Sequence, residues 1–189
     1  SPEGIRRIRL YTGLILFAFV SMHLLNHALG LISLQAMESG RWLFITVWRN
    51  PLGSSLLFGA MLVHLGLAFW AIYLRRHLRM PPWQAVQLLL GIFIPLVLVN
   101  HTVFTRGATL AYGYQDSYTM LVLLFWHLRP DLGLWQSILL LAAWTHGCIG
   151  IHYAMRIRPT YHRLAMVLYT LAVLVPVLAL LGFAQAGRY

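Results

Sequence analysis

The sequence predicts an all-α integral membrane protein built as a bundle of five transmembrane helices. Three observations predict it. Of the 189 residues 60% are hydrophobic, and they gather in runs of about 20, the length that crosses a bilayer as helix. Charged residues make up only 10% of the chain, against about 25% in soluble domains. The arginines cluster at the ends of the apolar runs, as positive-inside topology arranges them. A barrel is excluded, because the runs far exceed the roughly 9–11 residues of a membrane-spanning strand.

The first span, 10–34, follows the basic segment "RRIR" and is too long, and too poor in small residues at its end, for a cleaved signal peptide. The second, 52–74, ends on "RRHLR". The third, 84–104, contains Pro95, and the fourth, 134–155, contains Gly147 and runs into "RIRPTYHR". The fifth, 164–184, contains Pro176. Helices in membranes tolerate such Gly and Pro residues. The segment 105–133 is long for a bare loop and is expected to hold a short interfacial helix, with Trp126 and Trp135 at headgroup depth. The three "RR"- and "RIR"-type segments fall on one side. Arg41, Arg49, Arg106 and Arg129 fall on the other, partly offset by Glu38, Asp116 and Asp131. The N-terminus is therefore expected in the cytoplasm and residue 189 outside. Residues 1–189 read as a single membrane domain in contact with the lipid bilayer.

A net charge of +10 does not point to nucleic acid, since no basic face alternates with stacking aromatics. Cys148, the only cysteine, excludes an intrachain disulfide or a CxxC site and reads as a small packing residue.

The chemistry lies in the histidines. His23, His64, His101 and His146 fall in spans one to four, one per helix. His27 is a fifth intramembrane candidate. His77, His127, His152 and His162 lie in loops or near a span's end and read as solvated or interfacial. A buried imidazole must find a partner or carry a large solvation cost. At 1.5 Å per residue, His64 lies about 16 Å from Arg75, and His146 about 15 Å from Arg156. His23 lies about 21 Å beyond Arg9, and His101 about 27 Å beyond Trp83. His64 and His146 form an inner pair, His23 and His101 an outer one. Gly13 precedes His23 by ten residues and Gly91 precedes His101 by ten, while Ala68 and Gly150 each follow a histidine by four. The four helices thus read as two copies of one hairpin, with Gly13, Ala68, Gly91, Gly147 and Gly150 as small residues that let backbones approach or a flat ring such as haem pack against the helix.

Two levels of two imidazoles do not make the single tetrahedron of a zinc site. They suit two bis-histidine haems of b type, each iron held between imidazoles of two helices. The spans contain no Asp or Glu, which argues against proton or ion transport. Haem propionates need cations near the interfaces. The candidates are Arg75, Arg76 and Arg156 inside, and Arg41, Arg49 and Arg106 outside.

Four segments resemble the dihaem cytochrome b membrane anchors of succinate dehydrogenases and fumarate reductases: "TGLILFAFVSMH", "VHLGLA", "NHTVFTR" and "HGCIGIH". The resemblance implies His23, His64, His101 and His146 as iron ligands, with helices two and four serving the haem nearer the cytoplasm. The spacing from Gly13 favours His23 over His27, which then lines the outer haem edge or a quinone pocket. A longer resemblance runs through "HLLNHALGL", "VWRNPLG", "RRHLRMPPW", "THGCIGIHY" and "LALLGFAQAGRY", which look like the N-terminal membrane region of bacterial class III adenylate cyclases. It implies an inner-membrane anchor truncated from a longer, dimeric chain whose iron–sulfur and cyclase domains follow. The anchor itself would not be the enzyme. It would sense redox state or transfer electrons, with quinol as an electron source, and so regulate the cyclase. The alternatives are a quinone-reactive subunit of a respiratory dehydrogenase and a purely structural dimerising anchor.

Overall fold

The computed structural model describes residues 2–75, 77 and 79–188. It is helical, with no strand among the described residues. In chain order, α1 is Pro2–Ala28, α2 is Leu34–Trp48 and α3 is Pro51–Tyr73. Then α4 is Pro82–Tyr112, α5 is Tyr118–Leu128, α6 is Pro130–Met155 and α7 is Pro159–Ala186. Among the described residues five helices (α1, α3, α4, α6 and α7) are long and apolar enough to cross a membrane. Most of their apolar side chains stay exposed, Leu52, Leu62, Leu96 and Val173 among them. Lipid is the solvent such faces require.

Local chemistry sets the helix boundaries. Ser33 caps α2 by accepting from the Ala36 amide at 3.0 Å, and Asn50 caps α3 through the Gly53 amide at 2.8 Å. Ser117 caps α5 through the Met120 amide at 3.2 Å. Each cap satisfies one of the amides that a helix start leaves open. Pro51, Pro82, Pro130 and Pro159 stand at first helical positions, where a missing N–H costs nothing. Gly113, at φ 65°, ends α4 in the left-handed conformation that glycine adopts without strain.

Two boundaries differ from the sequence expectation. Span one starts earlier, at Pro2, so that "RRIR" is helical, and it gives way at Leu29–Leu31 to a tight turn. The stretch 34–48, expected as the tail of that span and a loop, is a helix of its own. Its 15 residues are too few to span a bilayer, and Glu38 and Arg41 interrupt the hydropathy that a long window detects. The expected short helix in 105–133 is present as α5, and α4 continues past residue 104 through a π-helical turn at Val103–Gly107.

The helices form two hairpins. α1 packs on α3 and α4 packs on α6, and the hairpins meet where α1 touches α6. α7 braces α1 and α6 from one side. At that crossing Gly30 and Gly182 lie backbone to backbone, so that a Cβ on either would overlap the opposite chain. One buried cluster joins Leu24, Trp144, Val175 and Ala179, with Cys148 packed against it as expected. A second, of Met37, Tyr118, Val122 and Ala186, lies under α2 and α5.

Candidate functional site

Between the hairpins runs a continuous cavity of about 1310 Å³, lined by His23, His27, His64, His101 and His146. It exceeds the roughly 300–1,000 Å³ of a single small-molecule pocket. We call the end bearing Arg6, Arg7, Arg9, Arg75 and Arg156 the inner end, and the end bearing Arg41, Arg49 and Arg106 the outer end. All eight arginines line the cavity.

At the inner level His64 and His146 face each other from α3 and α6, their ring centres 6.3 Å apart. Each ring is fixed from the neighbouring helix. His64 Nδ1 lies 3.1 Å from the Arg9 carbonyl and 3.3 Å from Thr12 Oγ1, and His146 Nδ1 lies 3.0 Å from the Gln87 carbonyl. A carbonyl can only accept, so in both rings Nδ1 carries the proton and Nε2 keeps its lone pair. Donating one ring N–H to a carbonyl while the other nitrogen stays bare is how proteins prepare a metal-ligating histidine.

Glycine makes the close approach possible. A Cβ at Gly13 would stand 3.1 Å from His64 Cε1, and one at Gly91 3.0 Å from His146 Cε1. Gly13 and Gly91, expected to pack against haem, lie against the inner histidine rings, and their ten-residue spacing to His23 and His101 marks the repeat. Gly147 accommodates the Phe17 ring, which stacks on Trp144 with ring centres 4.9 Å apart. Ala68 and Gly150 line the cavity, Gly150 beside the Gln87 side chain.

At the outer level His23 and His101 stand 6.1 Å apart, centre to centre. Their surroundings are aromatic: His23 lies 5.4 Å from Phe44 and 6.1 Å from Phe19. Gln136 lines the cavity together with His101. His27 lies 4.6 Å from His23 but stacks on Phe183 and meets Tyr118 edge-on, both at 5.6 Å. A metal held between two imidazole nitrogens by bonds of about 2.0 Å puts the ring centres roughly 6–6.5 Å apart. Both pairs have that separation. Among the described residues no three His, Cys, Asp or Glu side chains gather as metal ligands.

The outer end is closed by a polar network that the sequence reading missed. Arg49 makes a two-pronged ion pair with Asp116, at 2.7 and 2.6 Å. Arg41 holds Glu38 at 2.7 Å and lies 3.9 Å from Asp116. Burial alone would raise the Asp116 carboxyl, but the two guanidiniums outweigh it and hold it below the usual carboxylate range. Arg41 and Arg49, candidate propionate partners, are thus each paired with a carboxylate. Arg106 reaches Ser54 Oγ at 3.4 Å. Inside, Arg156 lies 4.8 Å over the Tyr153 ring and Arg75 lines the cavity; Arg76 lies outside the described residues. Below the outer network, Asn26 Nδ2 donates to Tyr118 Oη at 2.7 Å and to the Met37 carbonyl at 3.3 Å. His152, expected as solvated, is half-buried and bonded to Tyr161 Oη at 2.6 Å. His77, His127 and His162 are exposed.

Thr12, Arg9 and Gln87 were also unforeseen, yet the sequence carries their signal. Arg9, Gly13 and His23 recur 78 positions later as Gln87, Gly91 and His101 (87 − 9, 91 − 13, 101 − 23). The carbonyl four residues before each glycine receives the inner histidine of the next hairpin arm. Since a backbone carbonyl does the work, the repeat tolerates Arg at one position and Gln at the other. No family model matches the chain, and no match to it was found among curated proteins or solved structures.

Proposed function

We propose that this chain is a dihaem b-type membrane anchor that carries electrons or senses redox state, and that it regulates an attached adenylate cyclase. The observation that carries the haem reading is the inner pair: two imidazoles 6.3 Å apart across a cavity, each with Nδ1 given to a carbonyl and Nε2 left as a ligand. The outer pair, 6.1 Å apart in the same cavity, supports a second group. Apolar walls such as Phe17, Phe58, Leu88 and Leu98 suit a flat apolar macrocycle, and the arginines at both rims suit its carboxylates. When bound, haem supplies a one-electron ferric–ferrous couple at each level.

In this reading His64 and His146 hold the inner iron, and His23 and His101 the outer one. The Arg9 and Gln87 carbonyls orient the inner rings and raise their basicity. The leucine and phenylalanine walls exclude water. Arg75, Arg156 and Arg106 meet propionates. The inner end faces the cytoplasm, where arginine-rich segments belong. The link to a cyclase rests on the resemblance of "VWRNPLG", "RRHLRMPPW" and "THGCIGIHY" to that enzyme family's membrane region, as do the bacterial inner membrane, the dimer and the domains beyond residue 189. The "TG…H" and "HGxxG" segments favour, as a second reading, a quinone-reactive subunit of a respiratory dehydrogenase.

The deciding measurement is a reduced-minus-oxidised absorption spectrum of the purified chain, with haem quantified. Two low-spin haems per chain are expected. A folded, colourless preparation made with ample haem overturns the reading. A redox titration of cyclase activity in the full-length protein then tests regulation, and copurification of a flavoprotein and an iron–sulfur subunit identifies the respiratory alternative.

A further inference from the structure

The two ends of the cavity differ in how their arginines are engaged. At the inner end Arg6, Arg7, Arg9, Arg75 and Arg156 line the wall with a single acid, Glu3. Among the described residues none of these arginines makes an ion pair; the four ion pairs found lie elsewhere. At the outer end Arg49 is matched by Asp116 and Arg41 by Glu38. Asp116 is only 7% exposed, so its charge is poorly screened by water and its field reaches further. Asp116 and Arg49 line the same cavity as His23 and His101; Tyr118, two positions after Asp116, meets His27 edge-on with ring centres 5.6 Å apart, and His27 lies 4.6 Å from His23.

We propose that Asp116 tunes the outer haem, lowering its midpoint potential by cancelling the charge of Arg49 at the outer end of the cavity. This rests on the dihaem reading. Adding one electron to a ferric haem lowers its charge by one, and no bond forms or breaks. Nearby positive charge therefore favours the reduced form, and cancelling that charge disfavours it. Asp116 touches neither histidine of the outer pair, so its effect is one of field rather than ligation.

The test is a potentiometric optical titration of the haem-loaded chain in detergent, using D116N and the double variant R49Q/D116N. Wild type is expected to show two waves. D116N keeps the side chain's shape and leaves Arg49 uncancelled. Its outer wave should rise by about the equivalent of a tenfold change in the ferric–ferrous ratio, ~59 mV for one electron, with the inner wave unmoved. The double variant removes both charges and should bring the outer wave back towards wild type. The outer wave is the one lost in H101A; if that variant does not accumulate, the wave lowered in R156Q identifies the inner haem. An outer wave unmoved in D116N overturns the proposal, as does a double variant shifted as far as the single one, or equal movement of both waves. A wild-type chain without two haem waves overturns the dihaem reading along with it.

Discussion

The inner and outer histidine pairs share one cavity and nearly the same ring separation, 6.3 and 6.1 Å, but they are held by different means. The inner pair is held by backbone. Each Nδ1 meets a carbonyl of the adjacent helix, and a glycine beside that carbonyl lets the ring lie close. The outer pair is held by side chains: Phe19, Phe44 and His27 surround it, under a lid of α2 and α5 whose ends are tied by the Arg49–Asp116 ion pair. Backbone support follows from helix packing alone, so the inner site is part of the fold. The outer site depends on specific side chains and is open to tuning.

The largest effect that separates the two levels is loss of a ligand. Replacing His64 or His146 by Ala should halve the haem content, and so should replacing His101. H27A should keep both haems, whereas H23A should keep one. Pyridine haemochrome assay per mole of chain measures this. Two haems in H23A and one in H27A would reverse the assignment at the outer level. Loss of both haems from every variant would show that folding and ligation are inseparable here.

Next comes the glycine support that only the inner pair has. At G91A the new methyl would stand 3.0 Å from His146 Cε1, and at G13A 3.1 Å from His64 Cε1. The ring or the helix must shift, and overpacking of this kind costs about 1–3 kcal/mol. The inner haem's spectrum should broaden or its occupancy fall, with the outer haem unaffected. G59A is the control, since nothing lies within 4 Å of a Cβ there. If G91A binds haem as wild type does, the backbone support is looser than the comparison requires.

These two levels were unequally legible in the sequence. Five spans and one histidine in each of four helices are visible because hydropathy and depth are one-dimensional quantities. The pairing across the cavity also follows, because rise per residue converts position into depth. The partner of Gly13 does not. A glycine ten residues from His23 stands roughly 80° from that histidine around the helix, and which neighbouring ring fills the gap depends on the packing of α1 against α3. The helix Leu34–Trp48 was hidden by its length and its charges. The Arg49–Asp116 pair was hidden because 67 residues separate its members. Loop acids that look like a mere offset to loop arginines are, in three dimensions, their partners.

A smaller effect tests the outer lid. Tyr118 Oη accepts from the buried Asn26 side-chain amide at 2.7 Å, and Y118F would remove that acceptor, leaving the amide only its bond to the Met37 carbonyl at 3.3 Å. A buried hydrogen bond is worth about 1 kcal/mol. Y118F should lower the thermal midpoint by a few degrees, with the outer haem released first on heating. Simultaneous loss of both haems would mean that the lid and the inner site unfold as one unit.

The smallest and most local effect is that of pH on the same lid. The native carboxyl of Asp116 titrates below its ordinary range, because Arg49 and Arg41 outweigh its burial. A depressed native value means that the carboxylate contributes stability fully above the unfolded value of about 3.9. That contribution is lost as pH falls from there through the native value. Acid should therefore loosen the outer level before the inner one, whose backbone bonds contain no carboxylate. D116N has no such proton to bind, so its outer haem signal should be weaker at neutral pH and flatter against acid. Acid titration of the two haem spectra in wild type and D116N measures the difference. Parallel acid curves for the two levels in wild type would remove electrostatics from the list of things that distinguish them.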